Sequence, residues 1–356
     1  MLPLIPRAGK WLVQSGIQEP NGGVARYYRA DSNRNLPVST EITGYAVSTL
    51  VYLHSLTGEE QYLERARAGA CFLTQLYRNC GQSAMPFEAG SGETYFFDCG
   101  IIVRGLLAAW RATGEEHFLD SAVCLGKQMA VDFLSPHADF HPVLRLPEKS
   151  ATPRDALRWS QSAGCYQLKS AMAWWDLAEA TGDAAFREPY ERVLEYSLLT
   201  HCQFLPGHPD PLKVMDRLHA YCYFLEGMLA CAADSRCAAI FPDGIQRVAH
   251  YLNQISPEFE RSDVLAQLLR VRLYAGSLGV APLDTVAAER EASRLAEFQA
   301  ASDDPRIDGG FYFGRRQGAW LPHINPVSTG FALQALALWD QVRSSTPCPP
   351  QRNLLV

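Results

Sequence analysis

Acidic residues recur where this chain passes from polar, glycine-containing stretches into apolar ones: Asp31, Glu41, Glu88, Glu93, Asp98, Asp216, Asp263 and Asp308. Helix capping explains an Asp at such a junction without any catalysis, and Asp98 and Asp263 are good N-cap candidates on that ground. A cap does not, however, require the apolar crowd of Tyr95-Phe96-Phe97-Asp98-Cys99, which would desolvate the carboxyl and raise its pKa. A carboxylic acid still protonated near neutral pH is what a general acid needs, so Asp98 is a catalytic candidate, with Glu41 or Asp216 as the second carboxylate.

A second constellation lies in Asp216-Arg217-Leu218-His219-Ala220-Tyr221-Cys222-Tyr223-Phe224-Leu225-Glu226-Gly227. Spacings of four and three put His219, Tyr223 and Glu226 on one helix face. An acid in so apolar a helix is costly unless paired, so Glu226 either serves a reaction or bridges to Arg270 or Lys169. Arg261, Gln267, Arg270, Gln167 and Lys169 add cations and amides, and an arginine is a natural clamp for a carboxylate or sulfate. Trp320-Leu321-Pro322-His323-Ile324-Asn325-Pro326 supplies His323 as a further acid or base and Asn325 as an amide.

Aromatic residues cluster in the same polar stretches. Asn21-Gly22-Gly23-Val24 and Asp308-Gly309-Gly310-Phe311 share a reversal motif, after which Tyr27, Tyr28 and Phe311 can line an opening. Tyr95, Trp159 and Trp320 lie in comparable connections. Aromatic faces of this kind suit sugar rings, and plugging the end of a core is the plain alternative. With Glu88, Gln167, Tyr223, Glu226, Asp263, Arg270 and Asn325 they make up the candidate substrate-binding set.

The elements that must position these groups repeat. Ser48 to Glu60, Val103 to Glu116 and Ala171 to Asp183 each run as an apolar helix closed by Thr-Gly and restarted by an acid. Glycine past a helix end takes the left-handed cap, and an acid in the next first turn suits the helix dipole. The helix before each corner is apolar almost all round and the one after it amphipathic, which implies two layers. Inner helices are expected over Thr43–Leu56, Cys99–Ala112, Cys165–Ala180, Leu218–Ala232, Val264–Leu278 and Ser328–Val342. Outer helices are expected near Arg7–Ser15, Glu59–Tyr77, Glu115–Phe133, Asp183–His201, Asp243–Ile255 and Thr285–Phe298. Six and six close a ring, an all-α (α/α)6 toroid over residues 1–345 with a tail over 346–356. An open solenoid would use shorter, more regular repeats. The long connections gather at the inner-helix N-termini, and long connections in a compact domain are usually functional.

With 356 residues, 47% hydrophobic and 20% charged, the chain can bury a large core. A net charge of -6 and a pI near 5.9 give no basic footprint, so nucleic acid is not an expected partner. No apolar run approaches the roughly 18 residues that span a bilayer, and no charged leader precedes an apolar core, so the expectation is a cytoplasmic chain without membrane partners. Cys71, Cys124, Cys222 and Cys231 fall in apolar helical runs where a thiol acts as a small hydrophobe, and no Cys-x-x-Cys pair suggests a metal or a redox centre. The doublet Asp303-Asp304 reads as a solvated turn rather than a diphosphate site.

Phe97-Asp98-Cys99-Gly100 followed by Leu106-Leu107-Ala108-Ala109-Trp110 resembles the junction that carries a catalytic aspartate in unsaturated glucuronyl hydrolases of the six-hairpin glycosidase superfamily. The resemblance implies that Asp98 protonates the double bond of an unsaturated uronide and activates water. Gly22 to Tyr28, with Pro37 to Tyr45, is similar to toroid proteins associated with bacterial polysaccharide production. N-acylglucosamine 2-epimerases and glucuronyl C5-epimerases share that architecture, so fold alone does not choose the chemistry. The first expectation is a cofactor-free glycoside or unsaturated-uronide hydrolase with Asp98 as acid and Glu41 or Asp216 as base. The second is an epimerase or lyase in which His219, His323 or a tyrosine removes a proton. The third is a non-catalytic polysaccharide-binding or assembly protein. In each, the expected partner is an oligosaccharide or polysaccharide, acidic if an arginine clamps it.

Overall fold

The computed structural model describes residues 4–137, 139–344 and 351–356. The chain folds as two compact units. The N-terminal unit comprises Gln18–Ala25 and Pro37–Cys202; the C-terminal unit comprises Met1–Ile17, Arg26–Leu36 and Gln203–Val356.

In the N-terminal unit, α2 (Thr40–Thr57), α4 (Phe96–Thr113) and α6 (Gln167–Thr181) are almost wholly buried, α4 packing on both α2 and α6. The amphipathic α3 (Glu60–Asn79), α5 (Glu116–Asp132) and α7 (Arg187–Thr200) cover them. The three Thr-Gly corners are built alike. Gly58, Gly114 and Gly182 sit at φ 73°, 71° and 73°, each donating its N–H to the carbonyl of His54, Trp110 or Ala178. The preceding Thr57, Thr113 and Thr181 hydroxyls accept from the N–H of Glu59, Glu115 and Asp183 at 3.2, 3.2 and 3.1 Å. The expected inner and outer helices are therefore present, with ends shifted by a few residues.

The C-terminal unit repeats the plan around α10 (Ser262–Ser277), which packs on α8 (Pro211–Met228) and α12 (Pro326–Arg343). Helices α9 (Ser235–Ile255), α11 (Thr285–Ala296) and α1 (Leu4–Gln14) cover this trio, α1 lying against α12. Residues 351–356 also belong here: Leu355 and Val356 are buried, Gln334 accepts from the N–H of Val356 at 3.1 Å and donates to the carbonyl of Leu354 at 2.6 Å.

Two helices begin earlier than expected. Helix α8 starts at Pro211 because Asp210 caps the N–H of Leu212 and proline suits the first turn, so Asp216 and Arg217 are helical and not in a junction loop. Helix α9 starts at Ser235 under the Asp234 cap and carries Pro242 within it. Nor do Asp98 and Asp263 cap: each lies inside the first turn, and the cap positions are Tyr95 and Arg261, neither of which makes a side-chain cap bond, because an extended strand feeds directly into each helix. Those strands belong to small antiparallel sheets in the long connections. They are β2 (Arg34–Asn35)–β1 (Tyr28–Arg29)–β9 (His323–Ile324), β3 (Glu93–Tyr95)–β4 (Val143–Arg145)–β5 (Ser150–Ala151), and β6 (Phe259–Arg261)–β7 (Gly314–Arg316)–β8 (Ala319–Trp320).

The two Gly-Gly motifs form one device used twice. Gly22 and Gly309 sit at φ 92° and 89°. The N–H two residues later, of Val24 or Phe311, donates to the hydroxyl of Thr43 or Thr329 at 2.9 or 3.0 Å. Gln18 and Gln299 donate to the carbonyls of Gly22 and Gly309, both at 3.0 Å. Each motif thus straps a connection to the first turn of an inner helix. Phe311 is consequently fully buried in the core and does not line an opening. Of the four cysteines expected as small core hydrophobes, Cys222 is buried, Cys71 and Cys231 are half-buried, and Cys124 faces solvent on the outer side of α5. Among the described residues no helix is long and apolar enough to cross a membrane.

Candidate functional site

The densest group of chemically able side chains in the C-terminal unit surrounds His219 on α8. Its Nδ1 lies 2.7 Å from Oε1 of Gln267 and 3.4 Å from Oδ2 of Asp263, both on α10. Asp263 is already engaged: Arg261 donates through Nε to Oδ1 at 3.0 Å and through Nη2 to Oδ2 at 2.5 Å, and the N–H of Val264 donates to Oδ1 at 2.9 Å. The remaining terminal nitrogen of Arg261 donates to Asp216 at 2.8 Å. One guanidinium therefore joins two carboxylates beside an imidazole.

The electrostatics follow from burial. The His219 side chain is 11% exposed. Burial outweighs the pull of Asp263 and brings its pKa down to about 4, so the ring is neutral. Burial alone would raise the Asp263 carboxyl, but Arg261, then His219, and hydrogen bonds to both Arg261 and Val264 hold it below the usual carboxylate value. Asp263 is thus a fixed anion and not a proton donor.

Aromatic rings extend the group. Tyr223 stands edge-on to His219 at 4.4 Å between centroids, and Arg261 stacks on Phe313 at 4.5 Å. Phe313 lies 6.5 Å from His323, which leans on Tyr27 at 4.6 Å. His323 sits in β9 opposite Arg29 of β1. Partial burial and then the Arg29 cation push its pKa below the ordinary histidine value. Trp320 is 40% exposed and stacks parallel to Tyr312 at 5.2 Å.

The expected residues thus separate into groups. In the C-terminal unit Asp216, His219, Tyr223 and Asp263 come together, with His323 and Tyr27 reached through Phe313. Glu226 and Arg270 form a fully buried ion pair deeper in the unit, and Arg270 stacks on Phe331, whose ring meets Tyr223. Asn325 caps α12 through the N–H groups of Val327 and Ser328. Tyr28 is buried and donates to Asn33. In the N-terminal unit Asp98 is 7% exposed in the first turn of α4, and Glu41 is half-buried in the first turn of α2. Glu88 and Tyr95 are half-buried, Tyr95 tilting on Phe87 at 5.4 Å. Trp159 stands edge-on to Tyr166 at 4.9 Å, and Gln167 ties its loop by bonding the N–H of Gly164 and the carbonyl of Phe140. Among the described residues no cluster of three or more His, Cys, Asp or Glu could hold a metal ion. Gln267 is expected from the sequence only as one amide among the cations and amides, and its pairing with His219 is not, although Asp263 and Gln267, one helical turn apart, hold the signal for a shared face.

No protein-family model matches the chain, and no curated protein sequence does. Solved structures do. The cellobiose 2-epimerase from Spirochaeta thermophila superposes with a TM-score of 0.70 at 14% identity, over 92% of this chain and 93% of that one. An unsaturated glucuronyl hydrolase specific for heparin gives 0.69 at 11% identity, over 96% and 97%. The α-1,6-mannanase from Salegentibacter gives 0.59 at 13%, over 94% and 99%. The fold is the (α/α)6 toroid. Toroids of this kind thus include both epimerases and hydrolases, so the fold alone does not choose a chemistry.

Proposed function

We propose that this toroid is a carbohydrate-active enzyme of the epimerase or isomerase kind, moving a proton at the carbon next to a sugar carbonyl. The observation that carries this reading is the neutral, buried His219 whose Nδ1 is bonded to the amide of Gln267. An imidazole that keeps its proton on Nδ1 has its lone pair on Nε2, the atom that can act as base. His219 takes the proton of the carbon beside the carbonyl; the C–H electron pair forms a carbon–carbon double bond, and the carbonyl π pair moves onto oxygen as an enediolate. Return of a proton to the opposite face gives the epimer, and return to the former carbonyl carbon gives the isomer. His323 is our choice for the group that returns it. No electrons are lost or gained overall.

The substrate we favour is a neutral sugar. Arg261 and Arg270, the expected clamps for a carboxylate, are committed to Asp216, Asp263 and Glu226. The trio of Asp216, Arg261 and Asp263 carries net negative charge, which disfavours a uronate. We place the enzyme in a reducing compartment, a reading that the buried positions of Cys99 and Cys222 support.

Incubation with neutral aldoses and disaccharides in heavy water, followed by proton NMR, tests the reading. Deuterium entering at the carbon beside the carbonyl, and lost in His219→Asn, supports it. Glycosidic cleavage that survives His219→Asn and vanishes in Asp98→Asn would overturn it in favour of hydrolysis. That second reading is supported by Asp98, whose carboxyl is buried in the first turn of α4 next to Phe97.

A further inference from the structure

Helix α10 contributes a group whose role no catalytic assignment above covers. Gln267 is fully buried. Its Oε1 lies 2.7 Å from Nδ1 of His219, and its Nε2 has no hydrogen-bond partner among the described residues. Buried amides are ordinarily satisfied at both ends, and Gln18 and Gln299 of the straps share this half-satisfied state, so it is the contact with His219 that sets Gln267 apart. The amide is aligned on the imidazole, at the expense of its own second half.

A carboxylate is the stronger acceptor for an imidazole N–H, and one is present. Oδ2 of Asp263 lies 3.4 Å from the same nitrogen, one helical turn before Gln267. Arg261 and the N–H of Val264 already hold both oxygens of Asp263. The division is therefore between a carboxylate neutralised by a guanidinium and an uncharged amide that receives the imidazole proton. Placing a carboxylate on Nδ1 instead would stabilise the imidazolium.

We infer that Gln267 is the positioning residue of this site, its side-chain carbonyl fixing the His219 proton on Nδ1 and thereby keeping the ring a neutral base at Nε2. This rests on the reading of His219 as the base. The charged groups that reach His219 are Asp263 and Arg261 from β6 and the start of α10, and Glu226 from its own helix, itself paired with Arg270. The face that α9 buries is apolar, with Phe241, Ile245, Val248 and Leu252, and adds no charge. The low proton affinity of the ring comes from its burial, against the opposing pull of Asp263.

Long-range proton–nitrogen spectra of the full chain labelled at histidine read the tautomer directly, without reference to activity. The expected result is a neutral His219 protonated on Nδ1 from pH 8 to pH 5. Gln267→Glu is isosteric, so it carries the test even where Gln267→Leu fails to fold. In Gln267→Glu the His219 titration and the acid limb of kcat/KM both move up by about one to three pH units. In Gln267→Leu the tautomer is no longer fixed, and kcat falls while KM holds. A wild-type ring protonated on Nε2, or a His219 titration indifferent to Gln267→Glu, overturns the inference. If the spectra shift as expected but turnover ignores both His219→Asn and Gln267→Glu, the positioning role stands and the reading of His219 as the base fails.

Discussion

Glu226 and Arg270 form an ion pair in which neither side chain reaches solvent. The guanidinium is further held by Oε1 of Gln334 at 3.1 Å and the main-chain oxygen of Val356 at 3.0 Å. A pair so placed is costly to break from one side only. Arg270→Met strips the buried Glu226 charge of its cation and is expected to lower the free energy of unfolding by about 3–5 kcal/mol. Adding Glu226→Leu removes the orphaned charge and recovers much of that loss. Urea unfolding of the wild type, both single variants and the double variant closes the cycle; a double-variant loss equal to the sum of the two single losses would show that the pair does not behave as a unit.

The strap glycines are expected to be less replaceable than the corner glycines. Gly58 sits at φ 73° with nothing within 4 Å of an added Cβ, so Gly58→Ala costs only the left-handed penalty, about 1–2 kcal/mol. At Gly309, φ 89°, the Cβ would lie 2.4 Å from the carbonyl oxygen of Arg7. Gly309→Ala therefore combines backbone strain with displacement of α1, and its melting temperature is expected to fall further than that of Gly58→Ala. Differential scanning calorimetry of both variants decides the order.

Stability is expected to fall on mild acidification because of His219. Its pKa is about 4 in the folded chain against an ordinary 6.5, so the unfolded chain takes up the proton first as pH drops. The contribution is complete above pH 6.5 and is lost progressively between 6.5 and 4, at up to about 1.4 kcal/mol per pH unit. The lowered pKa of Asp263 acts below this window. Denaturant unfolding at pH 7.5, 6 and 5 in wild type and His219→Asn checks it: the variant is expected to show the shallower slope.

His323 is expected to behave as a catalytic group and Tyr27 as its support. His323→Asn is expected to lose about 10²–10⁴-fold in kcat, the range for one general acid or base. Tyr27→Ala, which removes the ring 4.6 Å away, is expected to change turnover far less while shifting the pH at which His323 titrates. Steady-state rates across pH 4 to 9 separate the two; a His323→Asn enzyme with unchanged kcat would remove His323 from the reaction.

The helical framework is legible because its signals are local. Thr-Gly followed by an acid specifies a corner through one hydroxyl and one left-handed glycine, and all three such corners occur where the residues ask for them. The face of His219, Tyr223 and Glu226 follows from helical spacing in the same way. What the residues do not disclose depends on partners distant in sequence. Gln267 gains its meaning only when α10 lies against α8. Asp263 has the spacing of a cap, and only Arg261 turns its carboxylate toward the imidazole. Phe311 has the setting of a lining residue, whereas its burial depends on Thr329 of α12 accepting its N–H. The strands leave no trace because pieces of two or three residues carry no alternation to detect.

Helix α1 packs against α12, and Arg7 meets Asp308 across nearly the full length of the chain. Residues 351–356 then complete the bonding of Gln334 and Arg270. The C-terminal unit is therefore sewn from both ends of the sequence, whereas the N-terminal unit is almost one continuous stretch. On a ribosome, the stretch from Pro37 to Cys202 can settle while synthesis continues. Helix α1 must wait for α12 before it finds its place, and Arg270 waits for Val356, 86 residues on, before its bonding is complete. Contacts of such long sequence separation form slowly. The unit that carries His219 thus depends on contacts of longer sequence separation than the unit built on Pro37–Cys202.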